Sequence, residues 1–464
     1  QLGADIDGST AGDETGTSVS LNNDGTIVAF GDYKHDGNRG RVRVYQYANS
    51  SWTQLGSDID GAQSSNNYFG KDVSLSSNGT ILAASAQNYS SMRGHVRIYQ
   101  YANNAWTQIG NDILGENSHD RSGWSISLSS DGTIVAIGST ENDDGGNLSG
   151  HVRVFQYANN TWTQLGSDIA GSAVEDESGW SVSLNGDGTI VAIGAYKHDS
   201  SRGHVRVYQY ANNTWTQLGS DIDGEAAGDQ SGYSVSMNGA GTILAIGAIL
   251  NNDGGSFSGH TRVYQWNGTA WTQLGSDIDG EAAADFSGYS VSMNGDGTIL
   301  AIGAHQNDGI EAGQSNSLRG HVRVYQYANN SWTQLGSDID GEAAADRSGY
   351  SVSMNGDGTR LAIGAPYNDG NGNSAGHVRV YQLAEDPTTG YYENSKLTAS
   401  DSAVNDHFGC SVDITTQFGI IGARTQGSSS YLKAGAAYMI SNTNEGYWDH
   451  SKKITATDLA IGDE

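Results

Sequence analysis

The sequence predicts an all-β fold, a β-propeller of four-stranded blades, and three observations carry that expectation. A Trp-Thr-Gln-Leu/Ile-Gly phrase recurs with its tryptophan at Trp52, Trp106, Trp162, Trp215, Trp271 and Trp332, a period of 53 to 61 residues. Such a period sits with propeller blades of ~40–50 residues rather than with shorter helical repeats. Each period also holds three strand-like runs, for example Ser-Gly-Tyr-Ser-Val-Ser, Thr-Ile-Leu-Ala-Ile-Gly-Ala and Gly-His-Val-Arg-Val-Tyr-Gln-Tyr. Finally, 65 glycines, 2 prolines and only 36% hydrophobic residues suit many short strands joined by tight turns.

The order of elements follows from one unit, residues 231–248. The first run alternates polar and apolar residues, as a strand with two unlike faces does, and is read as innermost. The second is almost wholly apolar, as a strand covered on both faces is. Between them, Asn185 to Gly188, Asn294 to Gly297 and Asn355 to Gly358 supply residues that tolerate a hairpin backbone. The third run, Gly203 to Tyr210, alternates valines with polar or aromatic residues, so each face meets a different neighbour. The fourth carries the tryptophan, and no single blade could bury these flat side chains without stacked neighbours.

Phrases of the Gln-Leu-Gly type begin at Gln1, Gln54, Gln108, Gln164, Gln217, Gln273 and Gln334, and three-strand sets follow them through about Leu383. Seven blades over 1–383 are therefore expected, with residues 1–8 completing the last blade and closing the ring. Residues 384–395 read as a linker or long turn. Residues 396–464 read as a further blade of another subtype, either the start of a second propeller or an eighth blade of the same ring. An open superhelix is a third arrangement, less expected because it leaves strand edges unpaired. The chain opens on Gln1, and Gly462-Asp463-Glu464 repeats Gly12-Asp13-Glu14 ahead of a new first strand, so it is read as part of a longer protein.

A formal net charge of −29 argues against nucleic acid and anionic lipid as partners. The apolar runs are far shorter than the ~20 residues that span a bilayer, so no direct membrane insertion is expected of this segment. Cys410 is the single cysteine, which excludes an internal disulfide. Acceptor sequons for N-glycosylation stand at Asn49, Asn78, Asn88, Asn147, Asn159, Asn212, Asn267 and Asn329. Five of them share the turn between the third and fourth strands, where Asn-Asn is also a good turn former.

Several polar series repeat once per blade. His95, His151, His204, His260, His321 and His377 hold equivalent positions, so ring geometry should keep them too far apart to share a metal. The arginines two residues on, Arg97, Arg153, Arg206, Arg262, Arg323 and Arg379, are expected to pair between blades with Asp58, Asp112, Asp168, Asp221, Asp277 and Asp338. A second acidic series, Asp13, Asp120, Asp176, Asp229, Asp285, Asp346 and Asp406, just precedes the first strands. It either rings one channel mouth as a cation site or bonds its own turn backbone. Trp124, Trp180, Tyr233, Tyr289 and Tyr350 share one position and are candidates to stack on a ligand, or to pack in the channel. No asymmetric acid, base or nucleophile constellation interrupts the repeats, and active sites require one, so an enzyme is not expected.

The residues resemble the FG-GAP repeat of integrin α-subunit propellers and related secreted proteins. The resemblance rests on Asp406-His407-Phe408-Gly409 followed by Gly422-Ala423, on Phe69-Gly70 and on Gly364-Ala365-Pro366, although most units put serine in place of the phenylalanine. It implies an extracellular or cell-surface propeller acting in adhesion, recognition or surface architecture. Calcium-binding members carry an Asp-rich loop between the first two strands; here that position is a short turn, so no cofactor is required and the family's calcium sites are not carried over. Asn142-Asp143-Asp144-Gly145-Gly146 and Asn251-Asn252-Asp253-Gly254-Gly255 leave calcium an open option. The expected function is a structural or adhesive module of a surface layer, appendage or matrix, assembling with other extracellular proteins or with copies of itself. Two alternatives are kept: a carbohydrate-binding propeller, and an integrin-like receptor head contacting protein ligands through its longest loop, Gln306 to Arg319.

Overall fold

The structure, a computed structural model, describes residues 6–7, 14–48, 51–62, 66–309, 317–369, 374–384, 390–399, 405–424, 435–441 and 452–453. Eight antiparallel sheets follow one another along the chain. Blade 1 holds Thr15–Leu21, Ile27–Asp32, Arg41–Ala48 and Ser51–Gln54, hydrogen-bonded in that order, and the short strand Ile59–Asp60 pairs with the start of the third strand. Blades 2 to 6 repeat this plan from first strands at Val73–Leu75, Ser122–Leu128, Ser181–Leu184, Ser231–Met237 and Ser290–Met293. Blade 7 begins at Ser351–Met354 and ends in one continuous outer strand, Tyr391–Leu397, which starts inside the stretch read as a linker.

Blade 8 consists of Phe408–Ile414, Phe418–Ala423 and Ala436–Ser441. Its third strand pairs with both Ile6–Asp7 and Lys452–Lys453. The expected count of seven is thereby corrected to eight. The N-terminal strand does close the ring, but on the eighth sheet. The reason lies in the innermost bonds, which the change of vocabulary after Leu383 leaves intact.

Those bonds repeat around the axis, where each first strand packs on the next. A serine in the first strand donates to a glycine carbonyl of the following blade: Ser18 to Gly70, Ser125 to Gly179, Ser181 to Gly232, Ser234 to Gly288, Ser290 to Gly349 and Ser351 to Gly409, at 2.7 to 3.0 Å. Ser411 of blade 8 makes the same bond to Gly16 of blade 1, at 2.8 Å. Parallel bridges also join each blade to the next, and Thr15 with Gly435 completes their circle.

The tryptophans staple the outer part of the ring. Trp106, Trp162, Trp215 and Trp332 donate their indole N–H to the carbonyl of Leu55, Ile109, Leu165 and Leu274 in the preceding blade, at 2.6 to 2.9 Å. Glycine follows each of those acceptors because the indole lies over the backbone there; a Cβ at Gly110 would sit 2.7 Å from Trp162 Cδ1. Trp271 occupies the same place with its N–H unpartnered. Trp215→Phe should therefore cost ~1 kcal/mol more in urea unfolding than Trp271→Phe, since only the first breaks a hydrogen bond. Equal costs would show that the indole N–H contributes nothing to blade stacking.

The apolar core is divided among the blade interfaces. Between blades 1 and 2, for instance, Ala29, Val42 and Val44 pack on Val73, Leu75 and Leu82. The second strands are buried along nearly their whole length, which accounts for their unbroken apolar runs.

Candidate functional site

Because the sheets are antiparallel, first strands begin and second strands end at one mouth of the channel, here called the front; the first-to-second turns form the back. At the front, Trp124, Trp180, Tyr233, Tyr289 and Tyr350 stand in one arc, contributed one per blade by blades 3 to 7. Successive ring centroids are 4.9, 5.6, 5.4 and 5.2 Å apart. All five are half-buried. Tyr196 and His305 brace them from the connections after the second strands, at 4.5 Å from Trp180 and 4.0 Å from Tyr289. Burial raises the Tyr289 phenol to about 12, so it stays a neutral donor.

The same ring position in blades 8, 1 and 2 is Cys410, Thr17 and Lys71, so the arc ends in a polar sector. Burial pushes the Cys410 thiol up and the Lys71 ammonium down. Beside Lys71, Asp72 replaces the bonding serine and accepts the Ile126 N–H at 2.8 Å. Burial raises its carboxyl to about 6 from 3.8. In that window the folded state holds a proton that the unfolded chain has released, so stability from this group falls as pH rises from about 4 to about 6. Asp72→Asn should remove that fall: its melting temperature should gain on the wild type across the window, and a constant gap would refute the raised carboxyl.

The acidic series before the first strands turns inward to the backbone. Asp120, Asp229, Asp285 and Asp346 each accept N–H groups of the residues three and four positions earlier, at 2.7 to 3.1 Å. Asp176 accepts from Ala173 N and Ser172 Oγ, and Asp406 is buried. Asp13 lies outside the described residues.

The arginines do not form the expected ladder with the aspartates. Arg153 and Arg206 donate to the carbonyls of Leu114 and Ala170 in the preceding blade, at 2.6 and 2.5 Å. Arg262, Arg323 and Arg379 do the same to Asp223, Asp279 and Asp340 carbonyls. Of the aspartates, Asp168, Asp221, Asp277 and Asp338 are held by the glutamine four residues earlier, the last residue of the preceding strand. Arg41–Asp58 and Arg97–Asp112 do pair, at 3.0 and 2.9 Å, but within one blade. A guanidinium has five N–H donors and can spend them on main-chain carbonyls as well as on carboxylates, and nothing in the sequence marks a carbonyl as its partner.

The six histidines are buried, one in each of blades 2 to 7, and each faces at least one carboxylate within 4.0 Å. Burial, with the adjacent arginine second, lowers His151 and His260 to about 4, which keeps them neutral. His151 converges with Glu116, Asp144 and Asp168, and His260 with Glu225, Asp253 and Asp277, the ligand atoms of each group within 4.8 Å of one another. Burial, then the neighbouring Asp253 carboxyl, raises Glu225 to about 7. Sequence reasoning named the histidines, the aspartates and the two Asp-rich loops separately. It missed Glu116 and Glu225, whose only signal is their place after Gly115 and Gly224.

Clefts lie between blades at the rim. One of about 270 Å³ is lined by Asp58, Asp60, Tyr99 and Trp106, and an equivalent one of about 140 Å³ by Asp277, Asp279, Tyr325 and Trp332. At the back, backbone N–H groups link turn to turn from Asn23 to Ser77, Ser130, Gly186, Gly239, Gly295 and Gly356, at 2.8 to 3.0 Å. At the shorter turn of blade 8 the link passes instead through Asn355 Nδ2 and Thr416 Oγ1, at 3.0 Å, and a cavity of about 450 Å³ opens there.

Among the sequons, Asn159, Asn212 and Asn329 occupy two-residue hairpins in which both central residues have positive φ, and all three are exposed. Asn78, Asn147 and Asn267 are exposed, Asn88 is half-buried, and Asn49 lies outside the described residues. So do residues 310–316 of the longest loop. No helix among the described residues is long and apolar enough to cross a membrane.

Residues 338–381 and 391–440 match the model of the FG-GAP repeat. No curated protein matches the sequence. Among solved structures, Sqt1 of Saccharomyces cerevisiae is similar over 98% of this chain and 100% of its own, at 13% identity and a TM-score of 0.56. Sqt1 of Chaetomium thermophilum is similar over 94% and 95%, at 15% identity and 0.55. A candidate 6-phosphogluconolactonase of Bacteroides uniformis is similar over 80% and 96%, at 12% identity and 0.52. At such identities the likeness is one of fold alone.

Proposed function

Starting from a chain that belongs to the FG-GAP β-propeller family, we propose that it is a non-catalytic recognition and assembly module, working outside the cell in a surface layer, appendage or matrix. The observation that supports this reading is the aromatic arc at the front mouth. Half-buried Trp and Tyr side chains, braced by their neighbours, offer rigid contact area at little cost in side-chain entropy, as protein interfaces favour. The partner is another extracellular protein or a second copy of the chain. The ring itself is a stiff mount, because its repeated serines, arginines and tryptophans are used in blade-to-blade bonds.

A second reading, glycan binding, draws on the rim clefts, where Trp106 with Tyr99 and Trp332 with Tyr325 stand beside aspartates. Repeated weak sites of that kind gain strength through multivalency. Electron microscopy of native material separates the two. Propellers set in a regular filament or sheet, lost in a Trp180→Ala, Tyr233→Ala double variant, support the assembly role. Discrete particles that bind a glycan array, with binding lost in Trp106→Ala and Trp332→Ala, support the second reading and remove the first.

A further inference from the structure

We propose that the ring carries two divalent-cation sites of identical make, Glu116, Asp144, His151 and Asp168 between blades 2 and 3, and Glu225, Asp253, His260 and Asp277 between blades 4 and 5, each suited to Zn²⁺ or Mn²⁺. In each, the glutamate comes from the end of one blade and the other three residues from the next.

The observation that distinguishes these groups from mere acidic surface is the histidine. His151 and His260 are fully buried, and neither ring nitrogen of either has a hydrogen-bond partner. A buried imidazole left in that state is costly unless something else takes its lone pair. The His151 Nδ1 faces Asp144 Oδ2 at 3.7 Å and Glu116 Oε2 at 4.0 Å. The His260 Nδ1 faces Glu225 Oε2 at 3.8 Å. These separations are too long for hydrogen bonds. They approach the spacing of two ligands on one tetrahedral ion, about 3.3–3.6 Å for bonds of roughly 2.0–2.2 Å.

Charge points the same way. Counted as ionised, the three carboxylates and the nearby arginine, Arg153 at 3.8 Å from Glu116 or Arg262 at 3.8 Å from Glu225, leave two negative charges in excess, which one dication neutralises; at the second site Asp279, 3.9 Å from His260, adds a further carboxylate. An imidazole nitrogen among carboxylates selects Zn²⁺ or Mn²⁺ over the all-oxygen preference of Ca²⁺ and Mg²⁺. The related group Glu281, His321 and Asp338 is incomplete, with Gly309 standing where Asp144 stands in blade 3. At Asp176, His198 and His204 the imidazoles stack at 3.9 Å and His198 is already hydrogen-bonded to Asp176 at 2.9 Å.

The test is calorimetric titration of chelator-treated protein with ZnCl₂ and MnCl₂, with CaCl₂ in parallel. Two equivalents of Zn²⁺ or Mn²⁺ are expected, bound at least about tenfold more tightly than Ca²⁺. Asp144→Asn and Asp253→Asn alter exposed side chains and leave the core alone; each should remove one equivalent, and together both. Zn²⁺ should raise the melting temperature of the wild type and not of the double variant, since each ion joins two blades. Failure to bind either metal at sub-millimolar concentration, or binding that survives in the double variant, overturns the proposal.

Discussion

Gly422→Ala is expected to open the ring where its last blade meets its first. A Cβ at this position would lie 1.9 Å from the Gly16 carbonyl oxygen and 2.4 Å from Ser411 Oγ, the two atoms joined in the closing hydrogen bond. The nearer obstacle is backbone of the neighbouring sheet, which cannot yield as a flexible side-chain end could. The loss should reach roughly 3 kcal/mol or more in urea unfolding. Gly356→Ala, where no atom lies within 4 Å, is the control and should change stability by no more than about 0.5 kcal/mol. Equal stability of the two variants would mean that sheets 8 and 1 are not packed at this spacing. Blade 2 shows how a side chain can be accommodated: Ser85 stands in the equivalent place, and there the bonding serine is also exchanged, for Asp72, whose N–H donates to Ser85 Oγ at 3.1 Å. Gly422→Ala has no such companion.

Phe408→Ser should cost about 3–5 kcal/mol, although it writes into blade 8 the residue that Ser122, Ser178, Ser231, Ser287 and Ser348 already place at this position. In blade 7 the serine meets its own blade's arginine, Ser348 Oγ and Arg379 Nη2 being 3.2 Å apart. In blade 8, Tyr438 takes the arginine's place and meets Phe408 edge-on at 4.6 Å, both rings fully buried with Leu397 and Ala399. Serine would leave a cavity against Tyr438 and add a hydroxyl to an apolar site. A shift in the unfolding midpoint corresponding to less than about 1 kcal/mol would show that the pocket collapses around the smaller side chain.

That pair also shows what the sequence could and could not convey. Strand order, the hairpins and the buried second strands were legible because each depends on local alternation and on Asn and Gly at turns. The number of blades was not. Blade 8 keeps the inner phrase, with Ser411 and Gly422 in register, while its outer strands abandon the tryptophan phrase that marked the earlier units. Counting Gln-Leu-Gly phrases therefore undercounts sheets, since the outer strand of blade 7, Tyr391–Leu397, has none, and the contact between Thr15 and Gly435 that decides closure has no local signature. The candidate sites were legible by residue and not by grouping. The histidine series, the aspartate series and the loops at Asp144 and Asp253 were each visible as patterns, but only the stacking of blades brings one of each together with Glu116 or Glu225. The arginines went astray for a simpler reason, since their partners are carbonyls.

The N-terminal strand also sets a timetable for biosynthesis. Ile6 is paired with Ala437, so this strand, once it has left the ribosome, waits for a partner translated some 430 residues later. At about 5–20 residues per second that is roughly 20–90 s. Throughout it, the leading face of blade 1 and the growing end of the array both present unpaired strand edges to other nascent chains. Crowded polysomes are then the setting in which this ring is most exposed to misassembly, and factors that shield the Ile6–Asp7 strand during translation should raise the yield more than any that act after release.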